Sequence, residues 1–301
     1  MKKLSVDLIQ ELSTELGIAP AFIEKDYYVV ELLKILNEFQ TDKFNVFFSG
    51  GTSLSKGYGL INRFSEDIDF MVSSQDDERN VYRNFRKKLW ERIDSTGILK
   101  VDSENKTIRN ESRFFSFYVD YPKLFKEDYL RQQVKIEISA KTTRLKPELR
   151  KINSWIDNFL REEDFLEINC LTPFETAANK FSAFLWRADC KDRTSDDKKF
   201  NDPTIIRHLY DLYKLKEVIK NKKSDFYELI SRIYEDDKKR GNKDNSLSLK
   251  DFSNLAMKKI QSDGLYEQEY NNFVTNMIYK PTDIVLYEDA LNFFKELINN
   301  I

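Results

Sequence analysis

Apolar and polar residues alternate with a period of two in several short stretches of the first half of the chain. This alternation predicts β-strands over about residues 67–72, 113–119 and 133–139. An apolar run predicts a strand over 44–49, and a further short strand is expected over 165–169. We expect the strand at 113–119 to run antiparallel to the strand at 133–139. The strands therefore lie in the first half of the chain, where they can form one sheet.

Helical periodicity predicts a lead-in over roughly residues 4–38, a short helix from residue 52, and mostly helices from Thr172 onward. The two patterns together predict an α+β fold of mixed α/β character, in which helices flank a mixed sheet. We place this domain at residues 1–168 and a helical C-terminal domain at 169–301. A length of 301 residues with 41% hydrophobic content is enough for two cores.

Two helix starts in the second half have clear capping residues. Thr172 and Glu175 match a capping box, with Pro173 at the first helical position. Asp202 and Pro203 have the same pattern, with a capping residue followed by proline at the first helical position. We therefore predict that helices begin at both places.

Two weaker local patterns also predict structure. Ser74 and Asp77 are spaced like a capping box and would begin a long helix that ends near Gly97. The charged run at 235–245 predicts an exposed loop, flexible or partner-binding.

Two carboxylates share one face of the strand predicted at 67–72. Asp67 and Asp69 project together, while Ile68 and Phe70 face the other way. Two like charges at so short a distance repel each other unless a cation neutralises them. Mg²⁺ is such a cation, since it prefers carboxylate and phosphate oxygens. The pattern indicates a metal site, and the alternative is a half-exposed strand with solvated acids.

A third acid depends on strand pairing. In the strand at 133–139, Lys135, Glu137 and Ser139 oppose an apolar face. If this strand pairs beside the one that carries Asp67 and Asp69, Glu137 completes a cluster that suits two metal ions. Without that pairing, Glu137 is an ordinary strand acid.

A glycine turn follows the apolar strand at 44–49. Gly50 and Gly51 allow a sharp turn and close backbone approach to a ligand, and Thr52 and Ser53 can cap the next helix. A triphosphate could bind at this turn. An ordinary strand-to-helix turn explains the same residues.

Cationic residues of the second half have both functional and structural readings. Lys180 and Arg187 lie about two turns apart, and both could face phosphate or form a solvated helix flank. Arg207 and Asp211 have the spacing of an intrahelical ion pair. His208 is the only histidine, so a metal site with several histidine ligands is excluded and a histidine-dependent hydrolytic triad is not expected.

Composition and local charge narrow the classes of protein to which this chain can belong. Charged residues make up 33% of the chain and nearly balance, with a net charge of −2, so overall charge does not indicate nucleic-acid binding. The segment at 141–161 is locally basic and could follow an RNA backbone, although a solvated surface segment is the commoner explanation of such a run. Cys170 and Cys190 have no disulfide or zinc spacing. No apolar run is long enough for a signal peptide or a membrane span, so we expect a cytoplasmic protein.

Several segments, in order, resemble the AbiEii/AbiGii toxin family of nucleotidyltransferase-like proteins. They are Gly50–Lys56 with Gly59–Ile61, Arg63–Asp69, Lys135–Glu137, Thr172–Lys180 running on to Arg187, and Arg207–Leu212. The resemblance implies a polymerase-β-like nucleotidyltransferase domain followed by helices. It also implies the toxin of a bacterial toxin–antitoxin or abortive-infection pair. Glu137 stands where much of the family carries aspartate, a difference of one methylene.

The resemblance also implies site residues and partners. Asp67, Asp69 and Glu137 would hold Mg²⁺ or Mn²⁺, with Lys135 beside them in the catalytic set. The nucleotide-binding set would comprise Ser49, Gly50, Gly51, Thr52, Ser53, Lys56, Arg63, Lys180, Arg187 and Asp211. The substrate would be an NTP, the acceptor an RNA such as the tRNA 3′ end, and a cognate antitoxin the partner. The alternatives are an NTP-binding regulatory module without transfer activity and a nucleotidyltransferase that modifies a small molecule or a protein.

Overall fold

The fold was analysed in a computed structural model of the chain. The structure describes residues 1–65, 67–76, 80–128, 130–197, 200–241 and 246–301, with the backbone alone at 240 and 241. The chain divides into two compact units. The first comprises Met1–Gly59 and Phe64–Thr172, and the second comprises Leu60–Arg63 and Pro173–Ile301. The boundary predicted between 168 and 169 falls inside a strand, Leu166–Cys170, that is hydrogen-bonded within the sheet of the first unit.

A seven-stranded mixed sheet forms the centre of the first unit. Its strands are β1 (Phe44–Ser49), β2 (Asp67–Ser74), β3 (Lys100–Arg109), β4 (Phe114–Asp120), β5 (Val134–Ala140), β6 (Glu148–Ile152) and β7 (Leu166–Cys170). Their order in the sheet is β3-β4-β5-β2-β1-β7-β6. The α+β class and the five predicted strands are confirmed. β3 and β6, which the alternation did not reveal, are the edge strands.

Strand directions place the predicted strands side by side. β4 and β5 are antiparallel, as the sequence predicted, and β5 is parallel to β2. The β2–β5 pairing is the condition on which the third acid depended. β2 is also antiparallel to β1, so the strand that precedes the glycine turn is its other neighbour.

The helices of the first unit are α1 (Val6–Leu16), α2 (Pro20–Asn37), α3 (Gly50–Lys56), α4 (Val81–Asp94) and α5 (Trp155–Phe159). The predicted lead-in is two helices, because Gly17 adopts φ +66° and ends α1. The Ser5 side chain caps α1 by accepting the N–H of Leu8. The prediction that Ser74 begins this helix is wrong, because Ser74 is the last residue of β2 and α4 begins at Val81. The other member of the predicted capping box, Asp77, lies outside the described residues.

Three consecutive charged residues of α2, Glu24, Lys25 and Asp26, are buried. The first two hold a loop of the first unit. Glu24 accepts the N–H groups of Leu124 and Phe125 at 2.7 and 3.1 Å. The Lys25 ammonium donates to the carbonyl of Arg131 at 2.6 Å. Buried charges persist where they are paired, and these pairings fix the loop that leads into β5.

The second unit is helical, as predicted. Its helices are α6 (Pro173–Asp189), α7 (Arg207–Lys214), α8 (Lys216–Lys220), α9 (Lys223–Gly241), α10 (Leu249–Ser262), α11 (Leu265–Met277) and α12 (Tyr287–Asn299). α6 begins at the predicted proline. At the second predicted start the Asp202 side chain caps a 3₁₀ turn, Pro203–Ile206, which runs directly into α7.

Aromatic side chains fill the core of this unit. Phe294 of α12 contacts both Phe181 and Phe184 of α6, with ring centroids 5.2 and 5.0 Å apart. The prediction of a loop at 235–245 is wrong for residues 235–241, because these residues continue α9. Residues 242–245 lie outside the described residues. No helix in the described ranges has the length and apolar character needed to span a bilayer.

Candidate active site

The acidic residues of β2 and β5 lie in register on one face of the sheet. Asp69 is directly opposite Glu137, and Asp67 is directly opposite Lys135. Partners in a parallel pair project to the same side, and the strands are about 4.8 Å apart. The pairing predicted for Glu137 is therefore confirmed, and its side chain shares a face with both aspartates.

The same row continues onto the outer neighbours of the two strands. Ser49 of β1 is opposite Asp69, and Ser116 of β4 is opposite Glu137. The other face of the sheet is apolar, and Ile68 and Ile136 are fully buried there. Burial of that apolar face fixes the register, because a shift of one residue would move the acids into the core.

The glycine turn comes directly against the acids. Gly50 adopts φ +75°, and a Cβ built at this position would lie 1.9 Å from the Oδ2 of Asp69. A left-handed backbone and the absence of a side chain are both needed there. The turn is thus shaped by its contact with a carboxylate, which the ordinary strand-to-helix reading did not require.

Hydroxyl groups tie the turn to β2. The Ser49 hydroxyl donates to the carbonyl of Asp69 at 3.2 Å, and the Thr52 hydroxyl donates to the carbonyl of Asp67 in a very short hydrogen bond. The predicted capping by Thr52 and Ser53 is wrong, because α3 begins at Gly50 with Ser49 at its cap position. Thr52 and Ser53 are both buried, so their side chains support the turn from inside.

Two cations are paired with the acids. Arg131 donates to the Oδ1 of Asp67 at 2.8 Å, and Lys135 donates to Glu137 in a very short ion pair. Burial opposes the charge of Lys135, but the neighbouring carboxylates of Glu137 and Asp67 outweigh burial and raise its pKa. Lys135 therefore remains protonated beside the acids.

The donor set suits a hard divalent ion. Asp67, Asp69 and Glu137 supply carboxylate oxygens from adjacent strands of one face, which is the chemistry that Mg²⁺ and Mn²⁺ prefer. Within the described ranges, no three acidic, histidine or cysteine side chains already converge closely enough to hold a metal. The residues fit the ion by type and face, with Arg131 and Lys135 balancing their charge in this arrangement.

Lys56 does not extend toward the acids. It forms a very short ion pair with Asp26 of α2, donates to the carbonyl of Asn153 at 3.4 Å and lies 4.9 Å from the ring centroid of Trp155. Its side chain is only 12% exposed. In this arrangement the Lys56 ammonium is bound to α2 and to the segment just before α5, and the phosphate contact expected of Lys56 stays a prediction.

Three predicted nucleotide-binding residues meet inside the second unit. The Asp211 carboxylate accepts two hydrogen bonds from Arg63, both at 2.7 Å, and pairs with Lys180 at 2.6 Å. Asp211 is fully buried. Burial alone would raise its pKa, but the two cations dominate and hold the pKa well below its usual range.

This buried triad was not predicted. The i, i+4 spacing indicated an ion pair between Arg207 and Asp211, but Asp211 binds residues far away in sequence. Arg187, expected on the face of Lys180, is exposed and lies 3.9 Å from Asp202. The nucleotide-binding roles that the resemblance implies for this group remain predictions.

His208 is half-buried against Phe184, with ring centroids 6.4 Å apart. Burial, and then the nearby charges of Lys180 and Arg187, lower its pKa well below 6.5. Neither ring nitrogen has a hydrogen-bond partner among the described residues. His208 is therefore packed in the second unit and neutral at pH 7.

Arg131 is the site residue that the sequence did not reveal. It lies in the loop before β5, where no periodicity marks it, and its guanidinium also lies 5.4 Å from the ring centroid of Tyr118. A cation four residues before Lys135 carries no specific signal. Only the strand register and the anchoring of the loop by Lys25 bring it to Asp67.

Comparison with solved structures finds distant similarity. MenT4, a nucleotidyltransferase toxin from Mycobacterium tuberculosis, aligns with a TM-score of 0.45 and 20% identity over 71% of this chain and 72% of that chain. A protein from H. pylori, described as a nucleotidyltransferase, aligns with a TM-score of 0.44 and 18% identity over 89% and 92%. A search of curated proteins finds no match.

The family comparison covers nearly the whole sequence. The model for the nucleotidyl transferase AbiEii toxin of type IV toxin–antitoxin systems matches residues 32–296. This range includes the glycine turn, the acidic strands and the helices that follow, in agreement with the resemblance found in the sequence. The chain belongs to the AbiEii family of nucleotidyltransferase toxins.

Proposed function

We propose that the protein moves a nucleoside monophosphate from an NTP to an acceptor hydroxyl, with RNA as the acceptor. One observation carries this proposal: Asp67, Asp69 and Glu137 lie on one face of adjacent strands, directly against the Gly50 turn. Paired carboxylates beside a glycine turn suit a polyphosphate and the divalent ions that accompany it. Family membership supports the same reaction class.

The acids would hold the metal that such a reaction uses. Asp67 and Asp69 are its proposed ligands, with Glu137 completing the set from β5. When bound, Mg²⁺ or Mn²⁺ would offset the negative charge of the triphosphate and polarise its phosphoryl oxygens. Arg131 and Lys135 would then release the carboxylates with which they pair in this arrangement.

The glycine turn is the proposed seat of the triphosphate. Gly50 and Gly51 have no side chains to block the approach of a phosphate, and the Ser49 hydroxyl fixes the turn to β2. Phosphates here would lie beside Asp69, whose carboxylate contacts Gly50.

The chemical step uses groups of the same face. The acceptor oxygen attacks the α-phosphorus, the bond to the β-phosphate oxygen breaks, and pyrophosphate leaves with that electron pair. Glu137 would orient the acceptor hydroxyl and accept its proton. Lys135, kept protonated by its neighbours, would stabilise negative charge developing on the α-phosphoryl oxygens.

The biological outcome is also part of the proposal. Nucleotide addition to an RNA such as the tRNA 3′ end would block its use in translation and stop growth. The family implies a cognate antitoxin that opposes this effect. Residence in the cytoplasm, where NTPs and RNA are available, accords with the proposed substrates.

The test is incorporation of radiolabelled nucleotide into total cellular RNA, with each of the four NTPs supplied separately and Mg²⁺ or Mn²⁺ present. We expect wild-type protein to label RNA, and Asp69→Asn to lower the rate at least about a hundredfold. Asp42→Asn, an exposed position before β1, is the matched control and should keep full activity.

Two results would overturn the proposal. If NTP binding is measured by calorimetry without pyrophosphate release under any condition, the chain is a regulatory NTP-binding module. If mass spectrometry places the nucleotide on a metabolite or a polypeptide while RNA stays unlabelled, the acceptor assignment is wrong.

A further inference from the structure

One surface of the first unit carries several cations that have no carboxylate partner in the described part of the chain. Its members, here called the α4–β3 surface, are Arg83, Arg86, Lys87, Lys106 and Arg109. The three α4 residues have i, i+3 and i, i+4 spacings, which put like charges beside one another on the helix. All except the half-buried Arg86 are exposed. This surface is separate from the basic segment predicted at 141–161.

Two of these cations lie over a single aromatic ring. The guanidinium of Arg86 lies 4.6 Å from the ring centroid of Trp90, and the ammonium of Lys106 lies 5.0 Å from it. The Nε of Arg86 and the indole nitrogen of Trp90 are buried without hydrogen-bond partners. Packing against Trp90 therefore holds both cations in place. It leaves the Nε of Arg86 without a hydrogen bond to the described residues.

Among the described residues, the acids of α4 form no ion pair with these five cations. Glu91 and Asp94 lie in the last turn of α4, and Asp94 lies 3.7 Å from Lys100. Burial, and then repulsion from Arg83, lower the pKa of Arg86. Repulsion among fixed, unpaired cations is relieved when an anion binds between them.

The surface reaches round the sheet edge toward the acids of the site. β3 is an edge strand in which Lys106 lies opposite Phe117, on the apolar face that α4 covers. Arg109 is three residues further along and projects to the other face. On that face Thr107 lies opposite Ser116, which lies opposite Glu137. Cations on both sides of one edge strand thus connect α4 with the acidic row.

We propose that the α4–β3 surface binds the phosphate backbone of the RNA acceptor and guides it round the β3 edge toward the acidic face. The proposal rests on the proposed function in taking RNA as the acceptor. Both cations over Trp90 occupy its ring, so base stacking there is not expected. Binding should therefore depend on phosphate charge and little on base sequence.

The test is fluorescence anisotropy with a fluorescein-labelled RNA stem–loop of mixed sequence, without NTP or divalent metal. The variant Arg83→Gln/Lys87→Gln/Lys106→Gln removes three exposed charges. We expect its Kd to be at least tenfold weaker at about 0.1 M salt. The slope of log K against log salt should fall in magnitude by about two. The matched control is Lys222→Gln/Lys258→Gln/Lys295→Gln, three exposed charges of the second unit, which should bind as wild type does.

Three outcomes decide the proposal. Equal loss in both triple variants would show a general charge effect and would overturn it. Competition by poly-L-glutamate as effective as competition by unlabelled RNA at equal charge would assign the surface to acidic proteins instead. Unchanged binding in the α4–β3 variant would place RNA elsewhere on the chain. Because the assay contains no NTP, loss of nucleotide transfer with intact surface-dependent binding would count against the proposed reaction alone.

Discussion

The carboxylate of Asp69 occupies the space in which a side chain at Gly50 would begin. A Cβ at Gly50 would lie 1.9 Å from Oδ2 and 2.7 Å from Cγ of Asp69. This contact couples the glycine turn to the acidic strand, since neither can be moved without displacing the other. Gly59 also has a positive φ, +64°, but a Cβ there would meet no atom within 4 Å.

The two glycines allow the contact to be tested apart from backbone conformation. Gly50→Ala should unfold at lower urea concentration, with a loss of about 1–3 kcal/mol, and should lose nucleotide transfer because Asp69 is displaced. Gly59→Ala carries the same backbone cost without the clash and should keep transfer activity. Equal activity losses in the two variants would show that the contact with Asp69 is unimportant.

At the proposed metal site, Arg131 would compete with a divalent cation for Asp67. Arg131→Gln should therefore bind Mn²⁺ about tenfold more tightly in calorimetric titrations without nucleotide, because a charge 2.8 Å from the carboxylate is removed. Arg92→Gln removes a two-bond ion pair with Glu38 elsewhere in the first unit and should leave the affinity unchanged. Weaker Mn²⁺ binding by Arg131→Gln would mean that Arg131 supports the metal site and does not oppose it.

The triad of Arg63, Lys180 and Asp211 should dominate the stability of the second unit. Asp211→Asn removes the buried carboxylate charge that both cations bind and should cost about 3–5 kcal/mol. Trp186 is the tryptophan of this unit, so urea unfolding followed by fluorescence in a Trp90→Phe/Trp155→Phe background reports on it. Adding Lys180→Met to Asp211→Asn removes one stranded charge and should recover part of the loss. Further destabilisation in the double variant would contradict this account.

His208 should make the second unit sensitive to mild acid. Its folded pKa lies below the unfolded value of about 6.5, so the unfolded chain binds more protons as the pH falls. The free energy of unfolding should therefore decrease from pH 7 to pH 5, by at most about 1.4 kcal/mol per pH unit for this one group. His208→Phe should flatten that slope relative to wild type. Parallel pH profiles for the two proteins would show that His208 has the same pKa in the folded and the unfolded chain.

Local patterns were enough to predict the elements that carry the site. Alternation in β2 and β5 assigned Asp67, Asp69 and Glu137 to polar faces, since the apolar residues between them must be buried. Proline and capping residues located the starts of α6 and of the turn before α7. These signals are local, and each lies within one turn or one strand.

Side-chain partners were predicted less well. Lys56 was expected at phosphate but pairs with Asp26, and Asp211 was expected to pair within its helix but binds Arg63, 148 residues away in sequence. Long cationic side chains reach several ångströms in many directions, so their spacing in the sequence does not determine which acid they meet. The edge strand β3 escaped prediction because its polar residues show little alternation.

The sequence by itself determined the glycine turn, the faces of the acidic strands and the family, because strand and turn geometry follow from neighbouring residues. Only the tertiary structure decided that β5 lies beside β2, that Arg131 reaches Asp67, and that Lys180 is buried with Asp211. Those contacts join segments separated by tens of residues or more. Their geometry depends on how the whole sheet and the helical core pack.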